Sequence, residues 1–185
     1  MNRVIKLISD YAPRDELEAA DREQMLTFMR ASSGWLTREN PVAHVTASAW
    51  IVDPDRKNAL MIYHNIYRSW SWTGGHADGD GDLMAVAMRE AAEETGVQTR
   101  PVMETPVSIE SGCVAPHVKR GRHVSAHIHM NATFLLEADI SATLRIKPDE
   151  NSGVRWIPFD QINAHVTEDD MRPIYAKLMA RARVM

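Results

Sequence analysis

The chain has a single cysteine, Cys113, among 185 residues, so no internal disulfide is available to it. That excludes a disulfide-stapled scaffold and fits a reducing compartment. A lone thiol is read here as incidental or buried rather than as a nucleophile. No apolar stretch approaches the roughly 20 residues of a membrane-spanning helix. The opening MNRVIKLISDYAPRD holds no apolar run of signal-peptide length either. The expectation is a cytoplasmic protein with no membrane partner. A large excess of one charge is also missing, because 21 basic and 25 acidic side chains leave a formal net charge of -4. Such a balance offers no general attraction for nucleic acid or an anionic bilayer, although a local basic patch still suits a phosphate ligand. Internal repeats, low-complexity tracts and linkers are absent too. One domain spanning 1–185 is the simplest organisation.

What is present is a composition near the globular average, 44% hydrophobic and 25% charged. Residues 14–30 place Leu17, Ala20, Met25, Phe28 and Met29 on roughly one side, which predicts an amphipathic helix in an N-terminal helical extension covering 1–40. The core over 41–185 then begins with strands. Residues 44–52 alternate, 59–63 form a short apolar run, and the turn Asp53-Pro54-Asp55 joins them. A Trp-, Gly- and Asp-rich loop over 69–82 leads to a helix capped by Asp82 and stopped by Gly96, a residue suited to the left-handed conformation of helix ends. Strands are predicted at 102–110, 124–136 and 154–157. The second has the clearest alternation, with Val124, Ala126, Ile128, Met130, Ala132, Phe134 and Leu136 on one face and Ser125, His127, His129, Asn131 and Thr133 on the other. A last helix has Asp169 or Asp170 as cap, Pro173 in its first turn, and Met171, Ile174, Tyr175, Leu178 and Ala182 as its apolar stripe. Helices packed on a sheet make this an α/β chain.

The helix ending at Thr95 carries Glu90, Glu93 and Glu94 at i, i+3 and i+4, on one side and near the negative end of its dipole. Each like-charged pair costs roughly 0.2 to 0.5 kcal/mol, and the dipole adds about 0.3 to 1 kcal/mol. A solvated acidic helix end is one explanation. The other is a hard divalent cation, since carboxylate oxygens are the ligands that Mg²⁺ and Mn²⁺ prefer.

Gly75 followed at the right distance by Arg89-Glu90-Ala91-Ala92-Glu93-Glu94-Thr95-Gly96-Val97 resembles the Nudix box: Gly, five residues, Glu, seven residues, then Arg-Glu-apolar-any-Glu-Glu-any-Gly-apolar. Six matched residues at about 6% background each arise by chance on the order of once in 10⁷ to 10⁸ positions. One position departs from the pattern: Gly81 stands where the family has its first Glu, and Asp80 and Asp82 flank the gap as alternative substitutes. The resemblance implies a Nudix-like α/β/α sandwich with a mixed sheet, an N-terminal helical addition and a C-terminal helix. It also implies Mg²⁺- or Mn²⁺-dependent hydrolysis of a nucleoside diphosphate linked to another group. By the same resemblance Glu90, Glu93, Glu94 and the Gly75 carbonyl hold the metal. Glu93 or Glu94 serves as base, with Glu150 as a third candidate, while Arg89 and Gly96 are structural.

Candidate substrate contacts are His76 beside the glycines, Arg68, the basic residues His117, Lys119, Arg120, Arg122 and His123 gathered in the segment PHVKRGRHVSAHIH, and His127 and His129 after them. A solvated hairpin tip is the alternative reading of that segment. His127 and His129 face one way and either line the cleft or bind a metal, but two histidines alone make an incomplete site. Trp70 and Trp72 either stack a base or close the core. The expected partner is a small, nucleotide-linked phosphorylated molecule, and a homodimer stays open. Two other functions remain: a non-hydrolytic nucleotide sensor with a weakened box, and an isopentenyl diphosphate isomerase-like enzyme. Against the latter, WTGGHAD puts Gly74 where that family has its catalytic cysteine.

Overall fold

The computed structural model describes residues 2–119 and 121–185. Arg120 and the side chain of Lys119, two members of the basic segment, lie outside the described residues. The chain begins with α1 (Arg3–Asp10) and α2 (Glu16–Ala31), then β1 (Ala43–Val52), β2 (Asn58–His64), β3 (Ser69–Ser71) and β4 (Thr73–His76). Next come α3 (Leu83–Thr95), β5 (Arg100–Pro101), β6 (Ser108–Val114), β7 (His117–Lys119), β8 (Arg122–Val124) and β9 (His127–Glu137). The chain closes with β10 (Asn151–Pro158), α4 (Ile162–His165) and α5 (Met171–Ala182).

The sheet is mixed. Its central pair, β1 and β9, runs parallel over the full length of β1, from Ala43 beside Ile128 to Val52 beside Glu137. Both strands fork. The far end of β1 pairs antiparallel with β2 while its near half pairs with β4, and β9 likewise pairs with β5 at its end and β6 before it. Alternation then sorts the side chains into two layers. Val45, Ala47, Ala49 and Ile51 of β1, with Met130, Ala132, Phe134 and Leu136 of β9, meet α1, α2 and α3. On the other face Trp50, Val52 and Leu135 meet α4 and α5 through Ile162, Tyr175, Leu178 and Ala182. The result is an α/β/α sandwich.

Several boundaries differ from the sequence reading. A helix over 3–10 precedes the predicted one. It buries Val4 and Ile8 and is capped by Asn2, but eight residues are too few to stand out as a helix without tertiary support. The expected strand over 102–110 begins only at Ser108: Val102 N–H still donates to the Leu135 carbonyl after β5, but the ladder then lapses through Pro106, which has no N–H to give. The long alternating strand starts at His127, since residues 122–124 turn through Gly121 to pair with 117–119 as a separate ribbon. Neither Asp169 nor Asp170 caps α5 with its side chain, and Asp169 instead pairs with Arg172. In α2 the buried face is rotated: Leu17 is 68% exposed while Glu18 is fully buried. The reason is polar. Glu18 receives hydrogen bonds from Tyr11, Ser108, Lys177 and Arg181, joining α2 to β6 and α5.

Candidate active site

Strand β4 lies along the near half of β1, with Gly74 beside Ser48 and Gly75 beside Ala47. The chain then loops through 77–82 into α3, which returns over these glycines. Asp82 caps the helix by accepting from the Ala85 N–H at 3.2 Å. Gly96 ends it in a left-handed conformation, φ 78°. The return brings the glutamates onto the glycine pair. A side chain at Gly75 would put a Cβ only 2.4 Å from the Glu90 carboxyl carbon, so the residue must be glycine for Glu90 to pack there. Glu94 is 3% exposed, and its carboxylate accepts from the Gly74 N–H at 3.0 Å.

The third glutamate turns elsewhere. Glu93 takes an ion pair from Lys147 at 2.9 Å, and the same ammonium lies 3.1 Å from Glu150. Burial opposes the Lys147 charge, but the hydrogen bonds to Glu93 and Glu150 outweigh it and hold its pKa above the usual lysine range. Burial pushes Glu94 up to about 8, against the Gly74 hydrogen bond, with Glu90 and Glu150 adding to the rise. Burial and then Glu93 push Glu90 upward as well. Within the protein, the repulsion in the cluster is thus relieved by Lys147 and by the raised proton affinity of Glu94. The loop 147–150 is itself held down, because Asn65 N–H donates to the Glu150 carbonyl and Asn151 Nδ2 to the Glu94 carbonyl, both at 3.0 Å.

The gap at Gly81 has a definite neighbourhood. Arg89 reaches Asp80 at 3.3 Å, tying helix to loop, while Asp82 is engaged by Arg3 at 2.9 Å. Asp80 is held below the usual carboxylate range, first by the Asp82 N–H and then by Arg89.

The candidate substrate contacts are dispersed. Arg68 is exposed at the tip of the β2–β3 hairpin, φ 53°, and Arg122 is exposed on β8. Trp70 and Trp72 pack on the α5 side of the sheet, where Trp72 meets Tyr175 edge-on and the Arg155 guanidinium covers Trp70 at 4.3 Å. His76, His127 and His129 are instead drawn together with His44, a residue that sequence reasoning placed only as a strand start. Burial and the surrounding imidazoles hold His129 down at about 2, and burial likewise lowers His44.

The profile described as the NUDIX domain matches residues 42–181. The chain belongs to the NUDIX family. This makes it a Nudix-type pyrophosphohydrolase in the α/β/α fold. Among solved structures it is similar to a NUDIX-family hydrolase from Clostridium perfringens, with TM-score 0.58 and 18% identity, covering 76% of this chain and 97% of that one. It is also similar to a C. elegans Ap4A hydrolase solved as a binary complex, with TM-score 0.53 and 14% identity, covering 76% of this chain and 98% of that one. Both are likenesses of fold. The sequence matches none of the curated proteins. Cys113 is exposed on β6 and away from the glycine pair, and a Cβ at Gly74 would lie 2.6 Å from Ser48 Oγ, so this Nudix site has no room for an isomerase-type cysteine there.

Proposed function

We propose that this Nudix enzyme cleaves a pyrophosphate linkage in a nucleoside diphosphate joined to another group, using Mg²⁺ or Mn²⁺. The observation that carries the reading is the docking of two helix glutamates on the glycine pair, Glu90 against Gly75 and Glu94 on the Gly74 N–H. Glu90, Glu94 and the Gly75 carbonyl, with Glu93 once it leaves Lys147, would supply an all-oxygen donor set, which suits a hard divalent cation. When bound, that cation supplies charge neutralisation to the diphosphate. Glu94 is buried and positions the set, whereas Glu93 stands at the open edge under Lys147, so Glu93 is assigned to take the proton of the attacking water. Asp80, bonded to Arg89, stands in for the glutamate missing at Gly81. Arg68 and Arg122 are the exposed cations assigned to the substrate phosphates.

The test incubates the full chain and Mg²⁺ or Mn²⁺ with dinucleoside polyphosphates such as Ap4A, nucleotide sugars and nucleoside triphosphates, reading nucleotide and phosphate release. Turnover of one class that stops with EDTA is expected. Nucleotide binding without turnover of any of them would favour the sensor reading.

A further inference from the structure

Four imidazoles meet on the face of the sheet opposite α3. His127 and His129 project from β9 at i and i+2, His44 stands beside His129 in the parallel register, and His76 comes from β4 next to Thr46. Ring centroids are 4.8 Å apart for His44 and His127, 5.1 Å for His44 and His129, and 5.0 Å for His127 and His129. His76 packs 5.0 Å from both His44 and His129.

The backbone orients two of these rings. His44 Nδ1 lies 3.1 Å from the Asn40 carbonyl and His127 Nδ1 lies 2.8 Å from the Ser125 carbonyl. A carbonyl only accepts, so each Nδ1 carries a proton, which leaves Nε2 as the nitrogen that can offer a lone pair. His44 Nε2 is buried and, among the described residues, has no hydrogen-bond partner. Leaving such an atom unsatisfied costs about 1–3 kcal/mol, so it calls for a ligand. His127 Nε2 lies 3.2 Å from His129 Nε2. Four-coordinate ligation with metal–nitrogen bonds of about 2.0–2.1 Å sets neighbouring nitrogens about 3.3 Å apart, close to this spacing. One ligand atom from each of His44, His127 and His129 already falls within 4.8 Å of the others, the one such set among the described residues. A hydrogen bond to a backbone carbonyl on the far nitrogen is also the usual support of a metal-binding histidine.

We propose that His44, His127 and His129, with His76 as the adjacent fourth imidazole, bind a zinc-class divalent ion at a site separate from the helix glutamates. Imidazole nitrogens select Zn²⁺, Co²⁺, Ni²⁺ or Cu²⁺ over the hard Mg²⁺, so the two sites differ in the metal they take. On binding, the ion takes the place of the hydrogen bond between the two Nε2 atoms, and the His129 proton moves from Nε2 to Nδ1. The inference is independent of the substrate proposed above.

Co²⁺ titration of the chelator-stripped full chain tests it. One equivalent should develop the strong visible bands of four-coordinate cobalt, and Zn²⁺ should displace it. His129→Gln and His127→Gln should each weaken binding by about 100-fold or more, at the upper end of what even an outer-shell partner contributes. Glu90→Gln and Glu94→Gln should leave the bands unchanged. A silent titration, bands that survive both histidine variants, or bands lost with the glutamates would overturn the proposal. Should a histidine variant misfold, anomalous diffraction at the zinc edge from soaked wild-type crystals decides: a peak among the four imidazoles supports the site, and a peak elsewhere or none refutes it.

Discussion

Glu94 is buried, bonded to the Gly74 N–H, and favoured in its protonated form. A neutral amide of the same shape suits that pocket, so Glu94→Gln should keep or raise the melting temperature of the metal-free protein while lowering Mg²⁺-dependent turnover by about 10² or more. Unchanged hydrolysis in a folded Gln variant would remove Glu94 from the mechanism. Asp80 allows a subtler experiment. Its pair with Arg89 is exposed, and such pairs contribute only about 0–1 kcal/mol, so Asp80→Asn should reduce turnover with little change in stability. A Cβ at Gly81 meets nothing nearer than 4.0 Å, which leaves room for the family's glutamate. Adding Gly81→Glu to Asp80→Asn should therefore restore turnover, and a double variant no better than the single one would show that Asp80 does not fill that role.

The link between β4 and α3 is made by close approach. Glycine at 75 is required not by its dihedrals but by Glu90, whose carboxyl group occupies the space of a side chain. Gly75→Ala should turn the Glu90 carboxylate off the glycine pair and lower turnover more than Asp80→Asn does, with little change in melting temperature; wild-type kinetics in that variant would mean that the docked position of Glu90 is not needed. The helix itself was legible in the sequence, from the Asp82 cap to the Gly96 stop, because local signals govern both ends. The strand over 102–110 was misplaced for a matching reason. An apolar run shows that a segment is buried but not which residues find a ladder partner, and the ladder interrupted around Pro106 resumes at Ser108.

Across the molecule, Glu18 and Arg181 clasp α2 to α5 around the edge of β6, with Lys177 also bridging Glu18 and Glu110. Burial alone would raise the Glu18 carboxyl, but Arg181, the Arg14 N–H and Lys177 overcome it and hold it at about 2 against an ordinary value of 4.5. With the folded value depressed, this contribution is complete above about pH 4.5 and is lost as pH falls towards 2. Denaturant midpoints measured across that window should fall more steeply for the wild type than for Glu18→Gln; parallel curves would refute the linkage. Glu18→Ala leaves buried Arg181 with only the more distant Asp15, at 3.5 Å, as counter-charge, so a loss of up to about 3–5 kcal/mol is expected at neutral pH, read from urea unfolding.

The box, the glutamate helix and most of the strands followed from short-range features, residue spacing, caps and alternation, while the sandwich was implied by the resemblance that the box carries. Those features act over one or two turns and survive in the linear string. The rotation of α2, the pairing of Asp80 rather than Asp82 with Arg89, the capture of Glu93 by Lys147 and the meeting of His44 with His127, His129 and His76 did not follow. Each joins residues far apart in the chain or chooses between near-equivalent neighbours. Strand register and helix packing make those choices, because a side chain's partner is set by which backbone passes within a few ångströms of it.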